Sequence, residues 1–298
     1  MGSLSADIHQ PVLLEEAIAM LRVVSGSVYM DGTFGLGGHT REILKRSAPS
    51  GKVIAFEWDD KAIEHGLKNI GDWAGRLTVV RRNFAEIDLG LLEAGHTKVE
   101  GILIDIGCSS LQLDRGQRGF SFQQDEYLDM RMDQRREITA AHIVATAKKE
   151  ELADIFYYYG GETQSRRIAD LIIEERKKAE VQTSGQLADL VAKAIPRKYH
   201  PAKIHVATKV FQALRIAVNE ELANLSMILE KGAEHLVTGG RFCVIAFHSL
   251  EDRIIKRKFA ANENLAVITK KPIVPAAREK KANPRSRSAR MRVAERLA

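Results

Sequence analysis

The chain has 298 residues, 45% of them hydrophobic and 28% charged, a balance that supports a sizeable core and argues against a disordered or fibrous protein. Only two cysteines, Cys108 and Cys243, are present, which argues against a disulfide framework and for a reducing compartment. No signal segment and no run of about 18 apolar residues occurs, so a soluble, cytoplasmic protein with no membrane partner is expected. The net charge of +6 is unevenly placed: residues 270–298 hold ten Lys or Arg against two Glu. A basic tail on a nearly neutral body suits a polyanion such as RNA; the other reading is a solvated, flexible end.

Pro11 to Leu21 spaces Leu14, Ala17, Ile18 and Leu21 as one helical face, with Pro11 suited to the first turn. The apolar run ending at Asp31 reads as a strand. Gly32, Gly35, Gly37 and Gly38 then form a tight turn, and a helix starts at about His39 and runs to Lys45. Lys52 to Glu57 is a second strand ending in an acid. Asp59 and Asp60 can cap a helix over about Lys61 to Asn69, and Leu77 to Val80 and Gly101 to Ile106 are further strands. Strand and helix alternate at the spacing of a parallel α/β sheet, which binds ligands at the carboxyl ends of its strands. Asp31, Glu57 and Asp105 all fall there.

From about Arg115 to His205 the pattern is helical, as at Leu152, Ile155, Phe156 and Tyr159 and at Leu187, Leu190, Val191 and Ala194. The expected organisation is a first core segment (1–114), an inserted helical substrate-recognition domain (115–205), and a second core segment with the basic tail (206–298). Thr208 to Lys231 reads as one long amphipathic helix. A strand over Arg241 to Phe247 follows Gly239-Gly240. A helix follows over Leu250 to Phe259, with Ser249 as its expected N-cap and Asp252 completing a capping box. Leu265–Thr269 and Arg290–Ala294 can pair as terminal strands.

The glycine turn lacks both the third glycine of a dinucleotide fingerprint, where Thr40 stands, and a P-loop Gly-Lys-Ser/Thr. An oxidoreductase is therefore disfavoured. An acid before such a turn suits a cationic, phosphate-free cofactor, and S-adenosylmethionine fits. A turn without a ligand is the alternative. Glu57, nineteen residues after Gly38, can accept two ribose hydroxyls or else cap a helix. Phe84 and Trp58 can stack near an adenine or simply fill the core. Asp105 can accept from an amino group of cofactor or substrate. Cys108 fits a small buried thiol better than a nucleophile, because no partnering base is evident. Phe120 and Phe122, beside Arg118, can stack an unpaired base or pack in a core. No cluster has metal-ligand spacing.

Seven ordered blocks, YMDGTFGLGGHT (29–40), GILIDIGCSS (101–110), RGFSF (118–122), LDMRMD (128–133), FQALRIAVNEEL (211–222), FHSLEDRIIKR (247–257) and NPRSRSARMRVAER (283–296), together resemble the bacterial 16S rRNA (cytosine-N(4))-methyltransferases called RsmH or MraW. The resemblance runs from about His9 to Arg296. It implies a class I S-adenosylmethionine-dependent methyltransferase fold, Rossmann-like and mostly parallel, with an inserted all-helical domain. It implies methyl transfer to N(4) of a cytidine in the decoding region of small-subunit rRNA. The implied cofactor contacts are Gly37, Gly38, His39, Glu57, Phe84, Asp105 and Gln112. Asp105 would also position the amine, with Ser109 and Ser110 as further candidates. Phe120, Phe122, Arg285, Arg287 and Arg290 would meet the RNA. Glu57 replaces the family's usual Asp, Trp58 a common Arg, and Cys108 and Leu111 the usual Val and Pro. The alternative from another class is a non-catalytic rRNA-binding assembly factor that keeps the fold. The sequence leaves open the oligomeric state (a homodimer included), the catalytic base, and whether naked rRNA or an assembled subunit is the substrate.

Overall fold

The computed structural model describes residues 11–107 and 118–298. The chain forms two compact units, one of Met1–Ser109 with Leu222–Ala298 and one of Ser110–Glu221.

The first unit is built on seven strands: β1 (Val28–Asp31), β2 (Lys52–Phe56), β3 (Leu77–Val80), β4 (Val99–Asp105), β5 (Leu236–Ala246), β6 (Leu265–Val267) and β7 (Arg290–Arg296). Their order across the sheet is β3-β2-β1-β4-β5-β7-β6. The first five run parallel, and β7 lies antiparallel between β5 and β6. Alternate residues serve two cores. Met30, Ile54, Ile102, Ile104 and Val244 face one, and Tyr29, Val53, Leu103, Cys243 and Ile245 the other. Burial on both faces is why these strands read as continuous apolar runs. Each fully buried side chain of this size stabilises the fold by roughly 1.5–3 kcal/mol relative to exposure. Helices α1 (Leu14–Leu21), α2 (Gly38–Arg46), α3 (Asp60–Ile70) and α4 (Ile87–Glu93) accompany the first parallel strands. The Asp59 carboxylate caps α3 by accepting from Lys61 N–H at 3.1 Å.

Several local expectations change. Helix α1 starts at Leu14, so Pro11 precedes it. Gly239 and Gly240 lie inside β5, where Gly239 has φ +78° and the pairing register with β4 shifts. A glycine tolerates that left-handed backbone, so the strand bulges and continues.

The second unit packs α5 (Ala140–Thr146), α6 (Lys149–Asp154), a π-helical turn (Ile155–Tyr159), α7 (Ser165–Glu175), α8 (Ser184–Ala194) and α9 (Thr208–Asn219) around Leu152, Phe156, Ile168, Leu187, Val210 and Leu214. The expected long helix over Thr208–Lys231 is two helices, α9 and α10 (Glu221–Lys231), separated by Glu220 at φ +52°. Side-chain bonds accompany the break. Asn219 donates to the Met130 carbonyl (2.8 Å) and accepts from Met132 N–H (2.8 Å), while Arg215 and Glu221 pair through two 2.8 Å bonds. Helix α9 thus belongs to the helical unit, past the 205/206 boundary suggested by the sequence.

After β5 the sheet unit continues with α11 (Ser249–Ala261). The basic end is built into the same unit. It carries α12 (Ala277–Ala282), and its strand β7 is hydrogen-bonded on both sides. Arg292 on β7 is buried and pairs with Asp252 through two bonds, 2.6 and 3.1 Å. A flexible tail is therefore ruled out for this segment.

Candidate cofactor and substrate site

Three neighbouring strands, β2, β1 and β4, deliver acids to one edge of the sheet. Asp31 ends β1 and is 1% exposed. Its carboxylate accepts from Thr33 N–H (3.1 Å) and from the Thr40 hydroxyl (2.6 Å), so it holds the glycine turn from both ends. Thr40 stands where a dinucleotide fingerprint would want glycine, and its hydroxyl is needed there. The Thr33 hydroxyl in turn accepts from Asp105 N–H at 2.7 Å, tying β1 to β4.

The turn itself requires glycine at Gly35 and Gly37, whose φ values are +52° and +77°. At Gly35 an added Cβ would meet only the Thr33 carbonyl, at 3.8 Å, so this part of the turn is open. At Gly38 it would lie 2.2 Å from Pro11 Cγ. The packing of Pro11 on the start of α2 is thus one reason for glycine at this position. Gly66 on α3 escaped the sequence reasoning. A Cβ there would lie 2.4 Å from Phe34 and 2.8 Å from the Gly35 carbonyl, so α3 abuts the turn directly. A lone helical glycine gave no signal of this role.

Glu57 follows β2 and is half-buried. Its Oε2 accepts from Gly35 N–H (2.9 Å), and its Oε1 from the N–H groups of Trp58 and Asp59 (3.0 Å each). Burial pushes its carboxyl up to about 7, against the opposing pull of these three N–H donors. A carboxylate offers about four lone-pair sites, so one remains for an outside hydroxyl. Phe84, in the short turn after β3, is half-buried and packs on the core beside Gly32.

Asp105 ends β4. Burial raises its carboxyl to about 6, with the Asp31 and Glu251 charges adding to the effect and His39 and the Gly107 N–H opposing it. His39 Nδ1 lies 3.8 Å from Asp105 Oδ2, and its Nε2 faces the Val12 carbonyl at 3.1 Å. Beyond Gly107, Phe247 closes the β5 side: a Cβ on Gly107 would be 3.0 Å from its ring. Cys108, Ser109, Ser110, Leu111 and Gln112 lie outside the described residues.

In the helical unit, Phe120 is 7% exposed and sits in the core under the Arg118 guanidinium, 5.4 Å from its ring centroid. That burial favours the core-packing reading of Phe120 over the stacking one. Phe122 is half-buried, with its ring 4.4 Å from His205 and 5.1 Å from Phe211. In the sheet unit, Arg287 and Arg290 are exposed, and Arg285 is half-buried with its backbone N–H held by Asn283 (3.2 Å). Helix α11 is capped by His248 and not by the expected Ser249. Glu251 completes its capping box, accepting from Phe247 N–H (2.7 Å) and His248 N–H (3.1 Å).

A five-strand parallel sheet, extended by an antiparallel β7 inserted between β5 and β6 and carrying acids at the ends of β1, β2 and β4, defines the class I methyltransferase fold. Comparisons with known proteins narrow the class. The chain belongs to the MraW methylase family, whose family model matches residues 6–297. It is 59% identical over 290 residues to "Ribosomal RNA small subunit methyltransferase H" of Desulfotalea psychrophila, covering 97% of this chain and 98% of that protein. Proteins of the same name from a Cyanothece species (49% identity, 97% and 95% coverage) and from Syntrophus aciditrophicus (44%, 97% and 98%) are similar along nearly their whole lengths.

Proposed function

We propose that this chain transfers a methyl group from S-adenosylmethionine to the exocyclic N(4) amine of a cytidine in the decoding region of 16S rRNA, in the cytoplasm, on rRNA of the small ribosomal subunit. The observation that carries the proposal is the 59% identity, over nearly the full length of both chains, to a protein named as a small-subunit rRNA methyltransferase. The site chemistry supports it. Two acids whose carboxyls are raised by burial, Glu57 and Asp105, suit a ligand that brings its own positive charge and hydroxyls. The open turn at Gly35 lets such a ligand approach the backbone.

The residues would hold the cofactor as follows. Glu57 accepts from the ribose with its remaining lone pair. Phe84 would lie beside the adenine, Gly37 would shape the turn, and His39 and Asp105 would face the amino-acid end. Once bound, the cofactor supplies an electrophilic methyl on a good leaving group. The chain must supply orientation, because a cytosine amine is a weak nucleophile whose lone pair is delocalised into the ring. Asp105 accepts a hydrogen bond from that amine, holds it in line, and stabilises the positive charge that develops on nitrogen. One amine proton is lost as the C–N bond forms. The acid's raised pKa brings it nearer to neutral pH, where it can share that proton. The base must be unstacked to reach the strand ends.

Base-resolved mapping of methylated cytidines in rRNA, with and without the protein, tests the acceptor. A single new N(4)-methylcytidine in the decoding region is expected. RNA and cofactor binding without any transfer would instead favour the non-catalytic assembly factor. Asp105→Ala should lower turnover by roughly a hundredfold or more while the protein stays folded, and near-normal turnover would remove Asp105 from the mechanism.

A further inference from the structure

The cations of the C-terminal segment converge on a defined cleft. It has a volume of about 330 Å³ and is lined by Phe247, His248, Ser249, Lys280, Arg287 and Arg290, among others, with no carboxylate among the described residues of its lining. The nearest acids in sequence are already bonded. Glu251, itself buried, accepts from the Phe247 and His248 N–H groups and lies 2.9 Å from His248 Nε2. Glu279 accepts from Leu13 N–H at 2.9 Å. Asp252 takes Arg292 through two bonds and only a longer 3.4 Å bond from Arg290. Burial works against ionising Asp252, but Arg292 and Arg290 outweigh it and hold its carboxyl below the usual range. Lys280 and Arg287 have no ion pair among the described residues, so two cations remain uncompensated. The positive end of α11 adds to them, since its N-cap His248 and first residue Ser249 are part of the wall.

The cleft lies off the end of β5, whereas the cofactor-side acids lie at the ends of β2, β1 and β4. Phe247 is shared: it lines the cleft and its ring stands against Gly107 at the end of β4. An anion in this cleft is therefore one strand away from Asp105. We propose that it is a phosphate subsite, holding one backbone phosphodiester of the unpaired RNA strand beside the target nucleotide and so fixing which base reaches Asp105. This rests on the rRNA-methyltransferase reading above and adds a specific anchoring point to it.

The test uses the full-length protein and short single-stranded RNAs containing the target cytidine. Each RNA carries one uncharged methylphosphonate linkage, moved along the strand. Wild-type protein should lose affinity most at one linkage near the target. The double variant Lys280→Gln/Arg287→Gln should be insensitive at that linkage and bind cofactor normally. Its plot of log Kd against log salt should be shallower by about 0.7, the slope of one phosphate left unneutralised on a single strand. Lys280→Arg/Arg287→Lys, which keeps both charges, should restore the linkage dependence. Unchanged linkage dependence in the Gln variant overturns the subsite. So does an equal loss in Arg278→Gln/Lys281→Gln, which neutralises two α12 charges outside the cleft. If the wild-type protein binds cofactor but no RNA, the rRNA reading itself fails, and the subsite with it.

Discussion

Thr40 illustrates how much of the site depends on single hydrogen bonds in buried surroundings. Its hydroxyl lies 2.6 Å from Asp31 Oδ2, and both residues are almost fully enclosed. Thr40→Val keeps the shape and removes the donor, leaving a buried carboxylate oxygen short of a partner. The expected cost is about 1–3 kcal/mol in urea unfolding, with Thr40→Ser recovering most of it. Equal unfolding midpoints for Val and wild type would show that the bond carries no stability. Glu57 makes a related point. Its spacing after the glycine turn made it a ribose candidate, but three of its acceptor positions are spent on backbone N–H groups of its own loop and of the turn. A longer side chain than the family's usual Asp both braces the turn and leaves one acceptor site for a ligand.

At the scale of elements, the join between the glycine turn and α3 sets the tolerance of the site. Gly66→Ala would push a methyl into Phe34 and the Gly35 carbonyl, and the carbonyl cannot rotate away as a side chain can. Overpacking of this kind costs about 1–3 kcal/mol. Cofactor affinity should fall along with thermal stability. A variant that loses stability but binds normally would show that the turn does not transmit the strain. The parallel strands and the acids ending them were legible in the sequence because each strand is buried on both faces and each acid closes an apolar run. The helix break at Glu220 was not, since Val218, Leu222 and Leu225 continue the amphipathic pattern across it. What stops the helix includes the Asn219 bonds to Met130 and Met132, almost ninety residues away in sequence. The role of Gly38 was hidden for the same reason, as its neighbour Pro11 is remote in the chain. Capping of α11 by His248 went unread because imidazole is an uncommon cap beside an available Ser249.

For the whole molecule, the two raised carboxyls link stability to pH. Glu57 titrates near 7 and Asp105 near 6 in the folded state, above the ordinary values of 4.5 and 3.8. Between about pH 4 and 7 the folded chain holds protons that the unfolded chain has released. The contribution of these groups to stability therefore falls as pH rises through that window. Each pKa unit corresponds to about 1.4 kcal/mol, an upper bound for groups that solvent still reaches. Thermal unfolding without ligand should show this decline, and Glu57→Gln/Asp105→Asn should flatten it. A positively charged cofactor beside Asp105 favours the ionised form, so the stabilisation it gives should be larger at about pH 8 than at about pH 5. The reverse ordering would sink the assignment of these acids to the cofactor. The placement of β7 has a consequence for how the protein is made. The six other described strands are synthesised before it, yet it must slot between β5 and β6, so this sheet cannot close until residues 290–296 have left the ribosome. Until then, Phe242 to Ala246 present an apolar, unpaired edge on which nascent chains can associate. A stop codon just before Arg290 should thus yield aggregated protein, although every parallel strand would remain intact.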